Sequence, residues 1–248
     1  MSVELSPPPI VYPESDGKPM AENTLQYRWI TTLVTGLELL FRDDPDVFVA
    51  GDLLWYPFER DNKTSIAPDA LVVFGRPKGE RGCYVQSRED GLAPQVVFEV
   101  LSPSNGPAEM RQKLANYDRY GVEEYYVIDP EPTEELEGWR RRSPGEGLVP
   151  IAPIHGWTSP RLGVRFESSG GVVRVLAPNG APFLKPSERI HQECERAEAE
   201  RARGDIERER GDIERERANI ERQRADESDD RAARLAAKLR ALGLDPDA

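Results

Sequence analysis

The chain has 248 residues, 38 % hydrophobic and 31 % charged, with a formal net charge of −12. That size suits one sizeable domain with a buried core plus an appendage. The acidic balance excludes a general polyanion-binding surface, which needs clustered Lys and Arg, but not a local groove or metal-site carboxylates. Cys83 and Cys194 stand far apart, with neither a disulfide framework nor zinc spacing, so a reducing cytoplasm is the expected setting. The start, MSVELSPPPIVYPES, lacks the basic and apolar order of a secretory signal. No stretch approaches the length of a membrane span, so no membrane partner is expected.

In chain order, residues 1–19 are Pro-rich and read as an irregular lead-in. A helix is predicted from about Ala21, with Leu25, Trp29, Leu33, Leu37 and Leu40 at helical spacing; the run DDPD (43–46) ends it. Short β-type runs follow: 47–50, 52–56, 68–74, 95–102 and 124–129, each bounded by Gly, Pro or Asp. Between the last two lies PAEMRQKLANYDRYG (107–121). Pro107 suits a helix start and Gly121 a stop, and Met110, Leu114 and Tyr117 form its apolar stripe. Further strands are predicted at LVPIA, RLGVRF and GVVRVLA. Helix, strands, helix and strands in that order indicate a mixed α/β domain over residues 20–186 with a central sheet.

Residues 187–248 differ in character, with 14 basic and 18 acidic side chains. A seven-residue repeat runs GDIERER, GDIERER, ANIERQR (204–224), placing Ile206, Ile213 and Ile220 once per heptad. A coiled coil needs a second apolar seam, which is missing. Pairs such as Asp205–Arg208 and Arg210–Glu214 instead support a solvated helix, or a weakly self-associating one. The end is more amphipathic, with Leu235, Leu239 and Leu242, and Gly243 closes it.

Two segments carry chemistry. Glu99 sits inside the apolar run VVFEVLS, where a carboxylate costs several kcal/mol unless paired or metal-bound. Strand alternation puts Val97, Glu99 and Leu101 on one face and Val96, Phe98 and Val100 on the other. A functional site and a buried salt bridge explain Glu99 equally well. Asp69, after Pro68 at a strand start, is by itself compatible with ordinary turn chemistry. Lys113 lies one helical turn from both Glu109 and Tyr117, at the edge of the packed stripe, from which its ammonium can reach the adjacent strand end. Phosphate-binding glycine loops are absent. With His155 and His191 the only histidines, acid–base work falls to carboxylates, Lys or metal-bound water. Arg140, Arg141 and Arg142 are the one tight basic cluster of the domain and read as a solvated strand or turn.

PDALVVFG, then VVFEVLSPSN, then K-x-x-x-Y-x-x-x-GVEEYYVIDP together resemble the Uma-two family, assigned to endonucleases of the PD-(D/E)XK superfamily. The resemblance spans about residues 20–180 and extends to the helical tail. It implies a restriction-endonuclease-like α/β fold: a mixed central sheet flanked by helices, with a long charged C-terminal helix added. It also implies that Asp69 and Glu99 hold Mg²⁺ (or Mn²⁺), a hard cation that retains several waters. The superfamily lysine two residues after the acid is replaced here by Leu101; Lys113 matches the helical lysine of the family and would orient water or neutralise charge on the phosphate. Glu109 stands where many members carry Asp. Glu22 and Gln26 are candidates for a polar group from the first helix. Ser102, Asn105 and Tyr117 are candidate pocket residues, with loop capping (Ser102, Asn105) and core packing (Tyr117) as the favoured alternatives.

The leading expectation is a Mg²⁺-dependent endonuclease acting on DNA, with a homodimer as a candidate assembly because cutting two strands needs two sites. The alternative is a non-catalytic protein of the same fold that binds partners and oligomerises through its tail.

Overall fold

The protein is described by a computed structural model covering residues 10–130 and 135–241. The chain divides into two compact units, one ending at Arg189 and one starting at Ile190.

The first helix, α1 (Thr24–Leu40), starts three residues later than the periodicity suggests, because Asn23 caps it. Its Oδ1 accepts from the amides of Leu25 at 2.9 Å and Gln26 at 2.8 Å, satisfying two of the otherwise orphaned donors of the first turn. Ile30, Leu33 and Leu37 form the fully buried stripe. The second helix, α2 (Pro107–Tyr120), begins on Pro107 and ends at Gly121, whose φ of +97° is a left-handed cap that a side chain would strain.

The main sheet has six strands: β1 (Val47–Ala50), β3 (Ala70–Phe74), β5 (Val96–Val100), β6 (Glu124–Ile128), β7 (Leu136–Arg141) and β8 (Leu148–Pro150), in the spatial order β1-β3-β5-β6-β7-β8. Only β5 and β6 are parallel, and α2 connects them; a crossover of this length is what a parallel pair requires. A separate parallel pair joins β2 (Trp55–Tyr56) to β4 (Tyr84–Val85). A hairpin joins β9 (Arg165–Ser169) to β10 (Val172–Leu176).

The expected alternation in β5 is observed, with both faces covered. Val96, Phe98 and Val100 join Ile30, Leu33 and Leu37 of α1 in one core layer. Val97 and Leu101 join Tyr117, Met110 and Leu114 of α2 in the other. This is the expected mixed sheet flanked by helices.

Several boundaries differ from the sequence reading. The run at 52–56 yields only Trp55–Tyr56 as strand, because Asp52 adopts a positive φ of 49° and its amide turns to the carbonyl of Pro68 at 3.1 Å. Strand β7 has no counterpart among the runs read from the sequence, because Gly138 and the adjacent arginines obscure the alternation of its half-buried pattern. Within the lead-in, Tyr12 is buried against Leu54, Tyr56 and Val85, and the carbonyl of Pro13 accepts from the Tyr56 hydroxyl at 2.8 Å.

The second unit carries most of α3 (Pro186–Ala241). Ile206, Ile213 and Ile220 are exposed, and pairs such as Arg196–Glu200, Arg208–Asp205 and Arg215–Asp212 link successive turns. That is the expected long charged helix with solvated sides. Leu242 and Gly243 lie outside the described residues, as does the Leu239 side chain. Among the described residues no helix is long and apolar enough to cross a membrane.

Candidate active site

Antiparallel pairing of β3 with β5 sets Ala70 opposite Phe98. The residue before β3, Asp69, is thereby carried alongside the end of β5. The amide of Val100 donates to Oδ2 of Asp69 at 2.6 Å. Glu99 points to the α2 side of the sheet, as its place between Val97 and Leu101 requires. There two α2 residues four apart, and so on one helix face, grip the two oxygens of its carboxylate. Lys113 Nζ donates to Oε2 at 2.8 Å, and the Tyr117 hydroxyl donates to Oε1. Glu99 is 2 % exposed and Asp69 9 %. The two explanations of Glu99 left open by its apolar strand therefore merge: it is a buried ion pair, and it stands beside a second buried carboxyl.

The electrostatics follow from that burial. Desolvation, then the neighbouring charge of Glu99, pushes Asp69 up to about 8, against the opposing pull of the Val100 amide and the Lys113 ammonium. Burial also raises Glu99, with Lys113 and Tyr117 opposing, and Asp69 is among its hydrogen-bonding neighbours. Burial alone would depress Lys113, but the Glu99 carboxylate outweighs it and holds the ammonium charged. Tyr117 lies well above the usual phenol range, from burial and the adjacent carboxylate. Two acids this close do not both ionise readily without a cation between them. Burial and mutual repulsion thus favour the protonated form at this pair of acids, with Asp69 raised beside the Glu99–Lys113 ion pair.

The remaining candidates form a supporting network at the mouth of the same strand end. Gln26 donates Nε2 to the carbonyl of Val100 at 3.0 Å and accepts the Glu22 amide at 2.9 Å. The Ser104 hydroxyl donates to Glu22. Asn105 Oδ1 accepts from both the amide and the hydroxyl of Ser102, at 2.8 and 3.1 Å, and Asn105 Nδ2 donates to Glu109 at 3.3 Å. Ser102 and Asn105 thus act as loop caps. Tyr117 differs from its favoured packing role. Its ring does stack on Trp55, at 6.4 Å between centroids, but its hydroxyl belongs to Glu99.

Sequence reasoning missed one neighbour. Asp52, itself raised by burial, adds its charge to those acting on Asp69; the only local signal is the Gly51-Asp52 turn. Among the described residues no group of three or more His, Cys, Asp or Glu is arranged to hold a metal.

A family model named Uma2 and described as "Putative restriction endonuclease" matches residues 16–160. No curated protein matches the chain. One solved structure, described as "a putative nuclease belonging to DUF820" from Anabaena variabilis, is similar over 60 % of this chain and 82 % of its own, at 15 % identity and a TM-score of 0.43.

Proposed function

Because the chain belongs to the Uma2 family, we propose that it is a metal-dependent endonuclease that hydrolyses phosphodiester bonds in DNA at a site built from Asp69, Glu99 and Lys113. The observation that carries this reading is the convergence of Asp69 and Glu99 on one sheet face beneath the Lys113 ammonium.

The donor set fits a hard divalent ion. Mg²⁺ is commonly held by one or two carboxylates and keeps several waters. Burial and the Glu99 charge raise Asp69 despite the Lys113 ammonium, and a divalent cation between the two carboxyls would relieve that repulsion. Asp69 and Glu99 would hold the ion, which when bound supplies Lewis-acid polarisation of the phosphate and a water of lowered pKa.

The chain's own groups do the rest. The Val100 amide orients Asp69, and Tyr117 fixes the rotation of the Glu99 carboxylate; both are hydrogen bonds made before substrate arrives. Lys113, partly exposed at 22 % of its side chain, would face charge developing on the phosphate oxygens. Its position on α2 lets it do so without a lysine at position 101.

The test is direct. Purified protein is incubated with plasmid and oligonucleotide DNA in Mg²⁺ or Mn²⁺, beside Asp69→Ala and Glu99→Ala. Cleavage by the parent and at least hundredfold loss in both variants is the expected result; equal activity in all three rejects the site.

A further inference from the structure

At the end of α2 away from Lys113, a cleft of about 530 Å³ opens between the helix C-terminus, the start of β6, the end of β7 and Arg161. Arg119, Arg141, Arg142 and Arg161 line it, in a chain whose formal charge is −12. Of the Arg140–Arg142 run, expected as a solvated strand or turn, Arg140 and Arg141 close strand β7 half-buried and Arg142 is exposed. Arg140 lies over the Trp157 ring at 4.9 Å, while Arg141 and Arg142 turn to the cleft.

The four arginines divide into two kinds. Arg141 is fully engaged: it donates to the Val122 carbonyl at 3.1 Å, to the carbonyl and Oδ1 of Asp118 at 2.6 and 3.0 Å, and to the Glu146 carbonyl. Arg161 is held by both oxygens of Glu123 at 2.6 Å. These pairs neutralise themselves and stiffen the walls. Arg119 and Arg142 are exposed. Arg119 rests over the Phe58 ring at 5.3 Å, and among the described residues neither Arg119 nor Arg142 has an ion-pair partner. The cleft thus presents two uncompensated guanidinium groups on a preformed concave surface. The planar donor fork of arginine suits phosphate oxygens in particular.

α2 links this cleft to the carboxylate site. Lys113 and Arg119 are six residues apart, about 9 Å along the helix axis. They also stand about 120° apart around that axis, and the cleft lies at the start of β6 whereas the carboxylates lie at the opposite end of the parallel β5–β6 pair. We propose that this cleft holds a phosphate-backbone segment of the bound DNA, at the end of α2 remote from the carboxylate site. The proposal rests on the endonuclease reading of the Asp69–Glu99 site. It assigns the cleft to positioning, since phosphate contacts set register without reading bases.

The test measures binding apart from cleavage. Full-length protein and an Arg119→Ala/Arg142→Ala variant are titrated onto a fluorescent 20-base-pair duplex, without divalent metal, from about 50 to 200 mM salt. The variant is expected to bind about tenfold more weakly at low salt, with a plot of log K against log salt shallower by about 1–2 and an unchanged circular dichroism spectrum. Unchanged affinity and slope in a folded variant overturn the cleft, as does failure of the parent to bind duplex at any salt. The endonuclease reading fails separately, if Asp69→Ala cuts as the parent does while the arginine-dependent binding persists.

Discussion

The backbone amide of Val100 donates to Oδ2 of Asp69 at 2.6 Å, so the residue immediately after Glu99 holds the other carboxyl of the site. One strand end therefore positions both acids, and disturbance of either is transmitted through a single peptide unit. Gln26, bonded to the carbonyl of the same residue, ties α1 to that point.

Asp69→Asn is expected to stabilise the metal-free protein at alkaline pH. Asp69 lies at about 8 in the folded chain against an ordinary 3.8. A raised carboxyl favours folding fully below its unfolded value, and that contribution is lost as pH rises through the folded value. Parent stability in EDTA should therefore fall between about pH 4 and 8, while the variant escapes this loss. Urea denaturation at intervals from pH 5 to 9 reads it; a gap that does not widen with pH rules it out. The same variant should lose its stabilisation by added Mg²⁺ or Mn²⁺.

Lys113→Met leaves the buried Glu99 carboxylate without its ammonium. Breaking a buried pair from one side costs about 3–5 kcal/mol. The partial exposure of Lys113 places the expected loss at the low end, about 3 kcal/mol at neutral pH. Adding Glu99→Gln should restore much of it. A single variant within about 0.5 kcal/mol of the parent in chemical denaturation would show that the pair is not a stabilising one.

Tyr117→Phe keeps the ring between Trp55 and Tyr125 and removes only the hydroxyl. A hydrogen bond to a charged group contributes about 1.5–3 kcal/mol, so a loss of that order is expected. If Tyr117 positions Glu99, calorimetric titration should also show Mg²⁺ or Mn²⁺ binding about tenfold weaker. Unaltered metal affinity would reduce Tyr117 to a packing residue.

Glu124 offers a pH test remote from the carboxylate pair. It is buried, accepts from Ser159, from Tyr126 at 2.9 Å and from the Arg161 amide at 3.0 Å, and burial raises it despite these donors. Its stabilising contribution is thus fully present below the ordinary carboxylate range and declines as pH rises through its folded value. The melting temperature of Glu124→Gln, taken relative to the parent, should rise from pH 4 to pH 8. A difference that stays flat or falls contradicts this sign.

Legibility varied with the range of the interaction responsible. Pro107 and Gly121 marked α2 because a helix start and a left-handed stop are local backbone matters. Helical periodicity sets the start of α1 three residues early, because Asn23 acts through a cap that periodicity does not report. Strand β7 is not legible in the sequence because its pairing with β6 and β8, rather than its own alternation, makes it a strand.

For the site, the sequence alone identified Glu99 as anomalous, since a carboxylate among Val and Phe needs a partner whatever the fold, and the ordered motifs singled out Asp69 and Lys113 beside it. Only the tertiary structure decided that these meet. Asp69 and Glu99 are 30 positions apart in the chain and are brought together by antiparallel register. Tyr117 changes from a packing residue to a hydrogen-bond donor once α2 lies over β5. Arg119, unremarkable in the chain, shares a cleft with Arg142 of the basic run because α2 and β7 end close together. Side-chain chemistry is a property of the residue; burial, register and shared walls belong to the fold.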